Sequence, residues 1–365
     1  SGAAGTIGTM SGGYQEIKSG GTGTVDTMNS GNQYISSGAA GTIGTMSGGY
    51  QEIKSGGTGT VDTMNSGNQY ISSGAAGTIG TMSGGYQEIK PGGMGTIGAM
   101  EYGDQNIDSG GTGTVDTMNS GNQNIYNGTG IVIAMNGGTQ TIFSGGTGTI
   151  SSLLGGEQLV LNGGTALDTE LNGGSLQISS GGIVSSLTLT SGSLELENIN
   201  GGNFTVSGTL TANNATVDMT DSSIKRVVPS VAYETLTIDK LSGNGTTFIM
   251  DTDLSGETNS DKITITDADA GTHYVQIKDL SRLNDIEVTG AHQQILITDA
   301  SGKLTFEGKE FNAGGLWDVD PTLAKQGNDW YLTKLEKKAN NDTRVLLDAA
   351  DNSYALWRNT NDSLR

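Results

Sequence analysis

Apolar residues recur along the first half of the chain at a fixed interval. Met10, Met28, Met46, Met64, Met82, Met100, Met118 and Met135 form one series, which Leu153, Leu171 and Leu189 continue. Ile or Val forms a second, at 17, 35, 53, 71, 89, 107, 125, 142 and 160, and Gln stands two residues before each member. The period is 18, and one deletion between 118 and 135 shifts all the series together. That coherence marks a structural unit. Residues 1–36 recur unchanged as 37–72, and 73–90 begin a third copy, so each long copy is two related 18-residue units.

Within a unit, two short runs, TIGTM and YQEI in the first, alternate with Gly-Gly, Ser-Gly or Asn-Ser-Gly. Runs of four or five residues between glycine corners are too short for helices and suit strands. Glycine supplies the positive φ that a sharp corner needs. Eighteen residues at roughly 3.3 Å each make one turn of a narrow prism, and successive turns stack about 4.8 Å apart as parallel sheets. The expected fold is all-β: a right-handed parallel β-helix (β-solenoid) with irregular capping coils and a short C-terminal helix. About 18 to 20 coils give a rod about 90 Å long.

Gln15 and Ile17 share a parity, so in a strand they face the same side. Later units put Leu176 with Ile178, and Leu194 with Leu196, at those positions. The Gln series is therefore expected to point inward as a ladder of about nine rungs, each amide bonded to the next along the column. The Met series, which gives way to Leu, is core filling and not a soft-metal site.

After residue 196 the period breaks. Strand-like runs persist (NFTVSG, ETLTIDKL, DKITITD, HYVQIKDL), with Asp251, Asp253, Asp267 and Asp269 expected in turns between them. Residues 336–365 change period, and Val345, Leu346, Ala349, Ala350, Tyr354, Leu356 and Trp357 suit an amphipathic helix. The expected divisions are 1–196, repeat solenoid; 197–232, irregular coils; 233–333, a capping region; and 334–365, a helix leading onward.

Composition narrows the chemistry. The 365 residues include 61 Gly, 3 Pro, 2 His and no Cys, with a formal net charge of -20. Gly lacks the one-in-three spacing of collagen. Without Cys there are no disulfides, thiolate metal sites or Cys nucleophiles. The negative charge opposes sequence-independent binding to nucleic acid. Basic residues are absent between Lys90 and Lys225, whereas 225–365 hold all three Trp, at 317, 330 and 357. No run reaches the roughly 20 apolar residues that span a bilayer. The chain opens at Ser1 in mid-repeat and reads as a fragment of a longer protein.

Candidate catalysis and metal binding are weak. GGTGTVD at 20–26 has its acid displaced from the calcium nonapeptide pattern, and this spacing does not gather six to eight oxygen ligands. No metal and no cofactor are expected. A β-helical polysaccharide-degrading enzyme would need a base or converging carboxylates. The middle region offers only Glu195 with Glu197 and Asp218 with Asp221, and His273 and His292 lie in the capping coils. The chain is read as not an enzyme. Tyr34 and Tyr70 take the outward parity, with Glu16, Glu52 and Glu88 in that column in alternate units. Such a stripe is either a contact surface or cross-strand stacking.

The unit SGGTGTVDTMNSGNQYIS resembles the AIDA-type repeat of bacterial autotransporter adhesins, although those repeats usually run to about 19 residues. FNAGGLWDVDPTLAKQGNDWYL at 311–332 resembles the last coils of a pertactin-like autochaperone region, and LLDAADNSYALWRNTNDSLR at 346–365 the linker helix that leads into a translocator barrel. The resemblance implies a passenger displayed at the cell surface, attached to or released from the bacterial outer membrane. It implies adhesion and self-association (autoaggregation and biofilm formation), with virulence as the setting. The implied partners are a second copy on another cell, a host cell surface receptor or glycan, and a cytoplasmic heptosyltransferase that O-glycosylates repeat serines. The matching serines are Ser1, Ser19, Ser37, Ser55, Ser73 and Ser109, which open units, and Ser11, Ser30, Ser47, Ser66, Ser83 and Ser120 at the mid-unit corner. Pro91, Asn127, Ser144 and Asn162 show the opening position drifting. The alternative is a passive glycosylated stalk presenting a more N-terminal functional domain.

Overall fold

Each 18-residue unit closes one coil, and each coil pairs in parallel with the next. In a computed structural model, described over residues 2–197, 202–220, 233–253, 259–280, 286–287, 294–312 and 317–363, Thr6 pairs with Thr24, Thr24 with Thr42 and Thr42 with Thr60. The second strand of the unit does the same, Gln33 opposite Gln51 and Gln51 opposite Gln69. The strands starting at Ala4, Thr22, Ala40 and onward stack in fifteen parallel rungs, of which the first eleven, to Ile183–Glu197, hold the short period. Among the described residues these fifteen rungs, at about 4.8 Å each, make about 70 Å, against the 18 to 20 coils expected. The later coils consume more chain: Val206 lies opposite Ile238, Ile238 opposite Ile265, and Ile265 opposite Asp299.

Glycine holds the corners because neighbouring coils touch there. Gly31, Gly49 and Gly67 all have positive φ, and a Cβ on Gly49 would lie 2.0 Å from the Gly31 carbonyl oxygen. The deletion between Met118 and Met135 falls at the other corner. There Asn127, with φ 58°, takes the left-handed place of Gly110, and the Gly110 N–H donates to its carbonyl. The loss is absorbed outside the strands, so Gln123 still meets Gln105 and Val132 still meets Val115.

The interior is a stack of single-residue columns. The Met and Leu series and the Ile and Val series are fully buried or nearly so from Met10 to Leu189. The Gln column is buried as well: Gln33, Gln51, Gln69, Gln87, Gln105, Gln123, Gln140 and Gln158 are all 0% exposed. Each donates from Nε2 to the Oε1 of the Gln one coil before, at 2.6–2.8 Å. The ladder thus runs from Gln15 to Gln158 with every amide pointing the same way. Across from it stands an inward glycine: a Cβ on Gly41 would lie 2.6 Å from Gln33 Oε1 and 2.5 Å from Ile35 Cδ1. Gly148 meets Gln140 Oε1 and Ile142 Cδ1 in the same way, and the next place in that series is buried Ala166, where Val160, which has no δ carbon, replaces the Ile.

The far end is closed by antiparallel strands. Trp317–Gln326 and Asp329–Ala339 form a hairpin, and the second strand also pairs antiparallel with Gln294–Asp299. This covers a sheet edge that would otherwise stay open to further pairing. Phe248, His273, Phe306 and Trp330 pack as an aromatic cluster, with ring centroids 5.6–6.1 Å apart. Of the three Trp, only Trp330 is in the core; Trp317 and Trp357 are exposed. Asp251 and Asp253 lie in the strand Thr247–Asp253 and Asp267 in Lys262–Ala268, so three of the four acids expected in turns are in strands. Asp251 is fully buried and 3.4 Å from Lys278 Nζ.

The C-terminal helix begins later than expected. Residues 334–339 finish the second hairpin strand, whose pairing with Trp317–Gln326 extends to Ala339. The helix Asn341–Ser363 then starts on an N-cap, with Asn340 Oδ1 accepting from the Thr343 N–H at 2.8 Å. Val345, Leu346, Tyr354, Leu356 and Trp357, from the apolar face expected of an amphipathic helix, are all more than 60% exposed. Among the described residues no helix is long and apolar enough to cross a membrane.

Candidate interaction face

The corner between coils carries the opening serines. Ser19, Ser37, Ser55, Ser73 and Ser109 are exposed and one coil apart, interrupted once by Pro91. The glycine of the following coil leaves each hydroxyl open; a Cβ on Gly56 would come within 2.8 Å of Ser37 Oγ. Ser109 differs, since Asn127 Nδ2 donates to its Oγ at 2.8 Å. Asn127 stands in the glycine place of this corner and not in the serine place.

At the opposite corner, Ser11, Ser30, Ser47, Ser66 and Ser83 are exposed and Ser120 is half-buried. Their sequence positions differ by one in alternate units, and a register shift brings Ser11 opposite Ser30 in the first pair of coils. Ser11, Ser47 and Ser83 directly follow the Met, whereas Ser30, Ser66 and Ser120 follow an Asn, so the hydroxyls alternate between adjacent positions. Ser1 lies outside the described residues.

On the sheet between the corners, tyrosines form a zigzag. Tyr14, Tyr34, Tyr50, Tyr70 and Tyr86 meet edge to face in sequence, with centroids 6.1, 5.7, 5.8 and 5.6 Å apart. Alternate coils place Tyr two residues apart, so each ring leans on a diagonal neighbour. The Tyr34 hydroxyl contacts that of Tyr50, and Tyr70 that of Tyr86. Asn32 and Asn68 donate to Tyr34 and Tyr70. Those hydroxyl contacts, with burial, push the Tyr50 and Tyr86 phenols up to about 12. The stripe is therefore cross-strand stacking in substance. Expecting Tyr only at 34 and 70 missed the zigzag, although its signal, the two-residue offset of Tyr14 and Tyr50, stands in the repeat.

Beyond the exact copies, but still within the repeat array, aromatic and aliphatic side chains replace polar ones on the outer face. Tyr126 stacks on Phe143 at 4.5 Å, and Ile133 and Leu154 are about half exposed, 48% and 54%.

The residues weighed for catalysis do not assemble. Glu195 accepts from Ser193 Oγ, and Asp218 accepts from the Thr220 N–H and hydroxyl as in a turn. Asp221 and His292 lie outside the described residues. His273 is buried among Phe248 and Phe306, and burial alone lowers its pKa to about 4. Asp267 and Asp269 are exposed and paired with Lys303 and Lys240. Among the described residues no group of three or more His, Asp or Glu is placed to hold a metal ion.

Residues 207–334 match the family described as Pertactin. The matched span takes in the aromatic cluster and the closing hairpin. A stretch of 125 residues is 31% identical to the autotransporter adhesin/invasin TibA of Escherichia coli O78:H11, covering 34% of this chain and 12% of that protein. The two matches together support the resemblance to AIDA-type autotransporter passengers. Among solved structures, a TibC-catalysed hyper-glycosylated TibA fragment aligns at TM-score 0.42 and 23% identity, over 77% of this chain and 97% of that one. The Haemophilus influenzae Hap adhesin aligns at 0.36 and 16%, over 90% and 43%.

Proposed function

We propose that this chain is part of the passenger of a surface-displayed autotransporter adhesin, a β-helical rod that mediates adhesion and self-association between cells. The observation that carries this reading is a closing region that matches the Pertactin family on a rod whose outer columns repeat every second coil. A repeated face multiplies weak contacts, so many small attractions hold where one does not. The exposed corner serines are proposed acceptors of heptose from a cytoplasmic glycosyltransferase. Both corners present hydroxyls beside glycine, which adds no side chain of its own, although Asn127 meets the Ser109 hydroxyl. The TibA fragment is itself hyper-glycosylated, in a reaction catalysed by TibC. The proposed location is the cell surface, attached to or released from the outer membrane, and no catalysis is assigned. A host receptor or glycan is the second proposed partner.

The test is the settling rate of non-aggregating cells that display this chain on a native-type barrel, against cells with the barrel alone. Faster settling, reversed by adding the soluble chain, supports self-association through these residues. Unchanged settling with confirmed display, in cells with and without the glycosyltransferase, overturns it in favour of a passive stalk. Peptide mass spectra from the native host that show only unmodified repeat serines overturn glycosylation.

A further inference from the structure

The tyrosine zigzag contains two pairs in which hydroxyl meets hydroxyl, Tyr34 with Tyr50 and Tyr70 with Tyr86, at centroid separations of 5.7 and 5.6 Å. Tyr50 and Tyr70 lie at a similar 5.8 Å without such a contact. We propose that Tyr34–Tyr50 and Tyr70–Tyr86 are sites of oxidative cross-linking, each pair forming a dityrosine bond between adjacent coils under a peroxidase-type oxidant with hydrogen peroxide.

The chemistry needs two phenols that cannot drift apart. Each loses one electron and one proton to become a neutral phenoxyl radical. The two radicals join ortho carbon to ortho carbon. Each of those carbons then gives up its hydrogen as a proton, and each oxygen regains one as the rings become aromatic again. The net loss is two electrons and two protons per link, which hydrogen peroxide accepts to become two waters. Encounter is the slow step between separate phenols, and here the parallel register supplies it in advance. The two hydroxyls in contact set the phenol ends of both rings, where the ortho positions lie, beside each other, which ring proximity alone does not do.

Within the five tyrosine coils few other groups compete for the oxidant; the exposed Tyr102, Tyr126 and Tyr354 lie outside them. The chain has no Cys. The sulfurs of the five coils are buried, Met10, Met28, Met46, Met64 and Met82 being 4% exposed or less. The exposed Met94 reacts by oxygen transfer, a separate event that leaves the phenols untouched. All three Trp lie beyond residue 316, away from the tyrosine coils. A link ties coils two and three, or four and five, and so removes freedom from the unfolded chain as a disulfide does, in a chain that has none.

The exact repeats give identical peptides, so the test isolates pairs by substitution. One variant carries Tyr14→Phe, Tyr70→Phe and Tyr86→Phe, keeping Tyr34 with Tyr50. The other carries Tyr14→Phe, Tyr34→Phe and Tyr86→Phe, keeping Tyr50 with Tyr70. Phe preserves the edge-to-face packing, and circular dichroism verifies the fold of both. Each is treated at low concentration with peroxidase and hydrogen peroxide. The first is expected to give at least tenfold more dityrosine fluorescence within the monomer band, a mass lower by two hydrogen atoms and a higher melting temperature. Equal yields in the two variants, or links found only between chains, overturn the proposal.

Discussion

The Thr169 hydroxyl donates to Gln158 Oε1 at 3.1 Å, and this contact ends the amide ladder. Every earlier Gln carbonyl in the column receives an N–H from the next coil, but the coil after Gln158 supplies Leu176. A buried carbonyl without a donor is costly, and Thr169, itself 2% exposed, meets the need. It points inward because Asp168 adopts φ 46°, which moves the inward side chain one place along the strand. Thr169→Val keeps the shape and removes the donor. It should lower stability by about 1–3 kcal/mol in a denaturant melt, with Thr169→Ser close to wild type.

Within the ladder, the two ends of each amide are not equally replaceable. Gln69 Nε2 has the Thr78 carbonyl at 3.3 Å as well as Gln51 Oε1. Gln33 Oε1 has its donor in Gln51. Gln51→Leu therefore orphans one acceptor and should fold with a loss of about 1–3 kcal/mol. Gln51→Glu adds a buried charge and turns two acceptors toward each other, costing at least about 3 kcal/mol at neutral pH. Its deficit should shrink as acid protonates the carboxyl and restores a donor. Equal melts at pH 4 and pH 7 contradict this account.

The coil, the columns and the inward Gln were legible because an 18-residue period admits few alternatives. Gln15 shares a parity with Ile17, and the later Leu176 shows which way that parity points. Thr169 was not legible, since its inward turn depends on one left-handed residue that breaks the parity rule locally. The late start of the helix was hidden for a different reason. Glu336, Lys337 and Lys338 have good helix propensity, yet pairing with Asp320, Val319 and Asp318 holds them in a strand. The serines at the opening corner could be placed from sequence. Those at the mid-unit corner fall into two positions, because Asn precedes Ser in every second unit.

Adjacent coils are not interchangeable on the outside, and this fixes the step by which the rod changes length. The inner columns repeat every coil, but Tyr, Glu, Asp and Lys outside repeat every second coil. Removing 37–72 leaves Tyr34 beside Tyr86 and restores the native neighbours. Removing 37–54 places Asp62 beside Asp26 and Tyr70 directly over Tyr34, losing the diagonal pair. Like charges directly opposite are destabilising by up to about 1 kcal/mol. The shorter deletion should therefore give the lower melting midpoint, although it retains one more coil. The reverse order of midpoints means the outer zigzag contributes nothing.

Two buried groups make the capping region respond to pH in opposite directions. His273 has its pKa lowered by burial from 6.5 to about 4, so the folded state binds its proton less readily than the unfolded chain. Its contribution is present above pH 6.5 and is lost as pH falls toward 4, a swing of about 3 kcal/mol. Asp261, fully buried, accepts from the N–H groups of Glu234 and Asp251 at 2.9 and 2.6 Å. Burial, reinforced by the Glu234 carboxyl, raises its pKa well above 3.8. A raised carboxyl pKa means the folded state holds the extra proton, so that contribution is present in acid and lost as pH rises. In wild type the two slopes oppose each other as pH rises from about 4, the ordinary range of a free carboxyl. His273→Phe, which extends the aromatic cluster, should remove the acid loss and leave stability falling as pH rises. Asp261→Asn should leave the histidine slope alone, with stability rising over the same range. Chemical denaturation of both variants at pH 4.5, 5.5 and 6.5 measures the slopes, and parallel profiles for the two would refute the assignment.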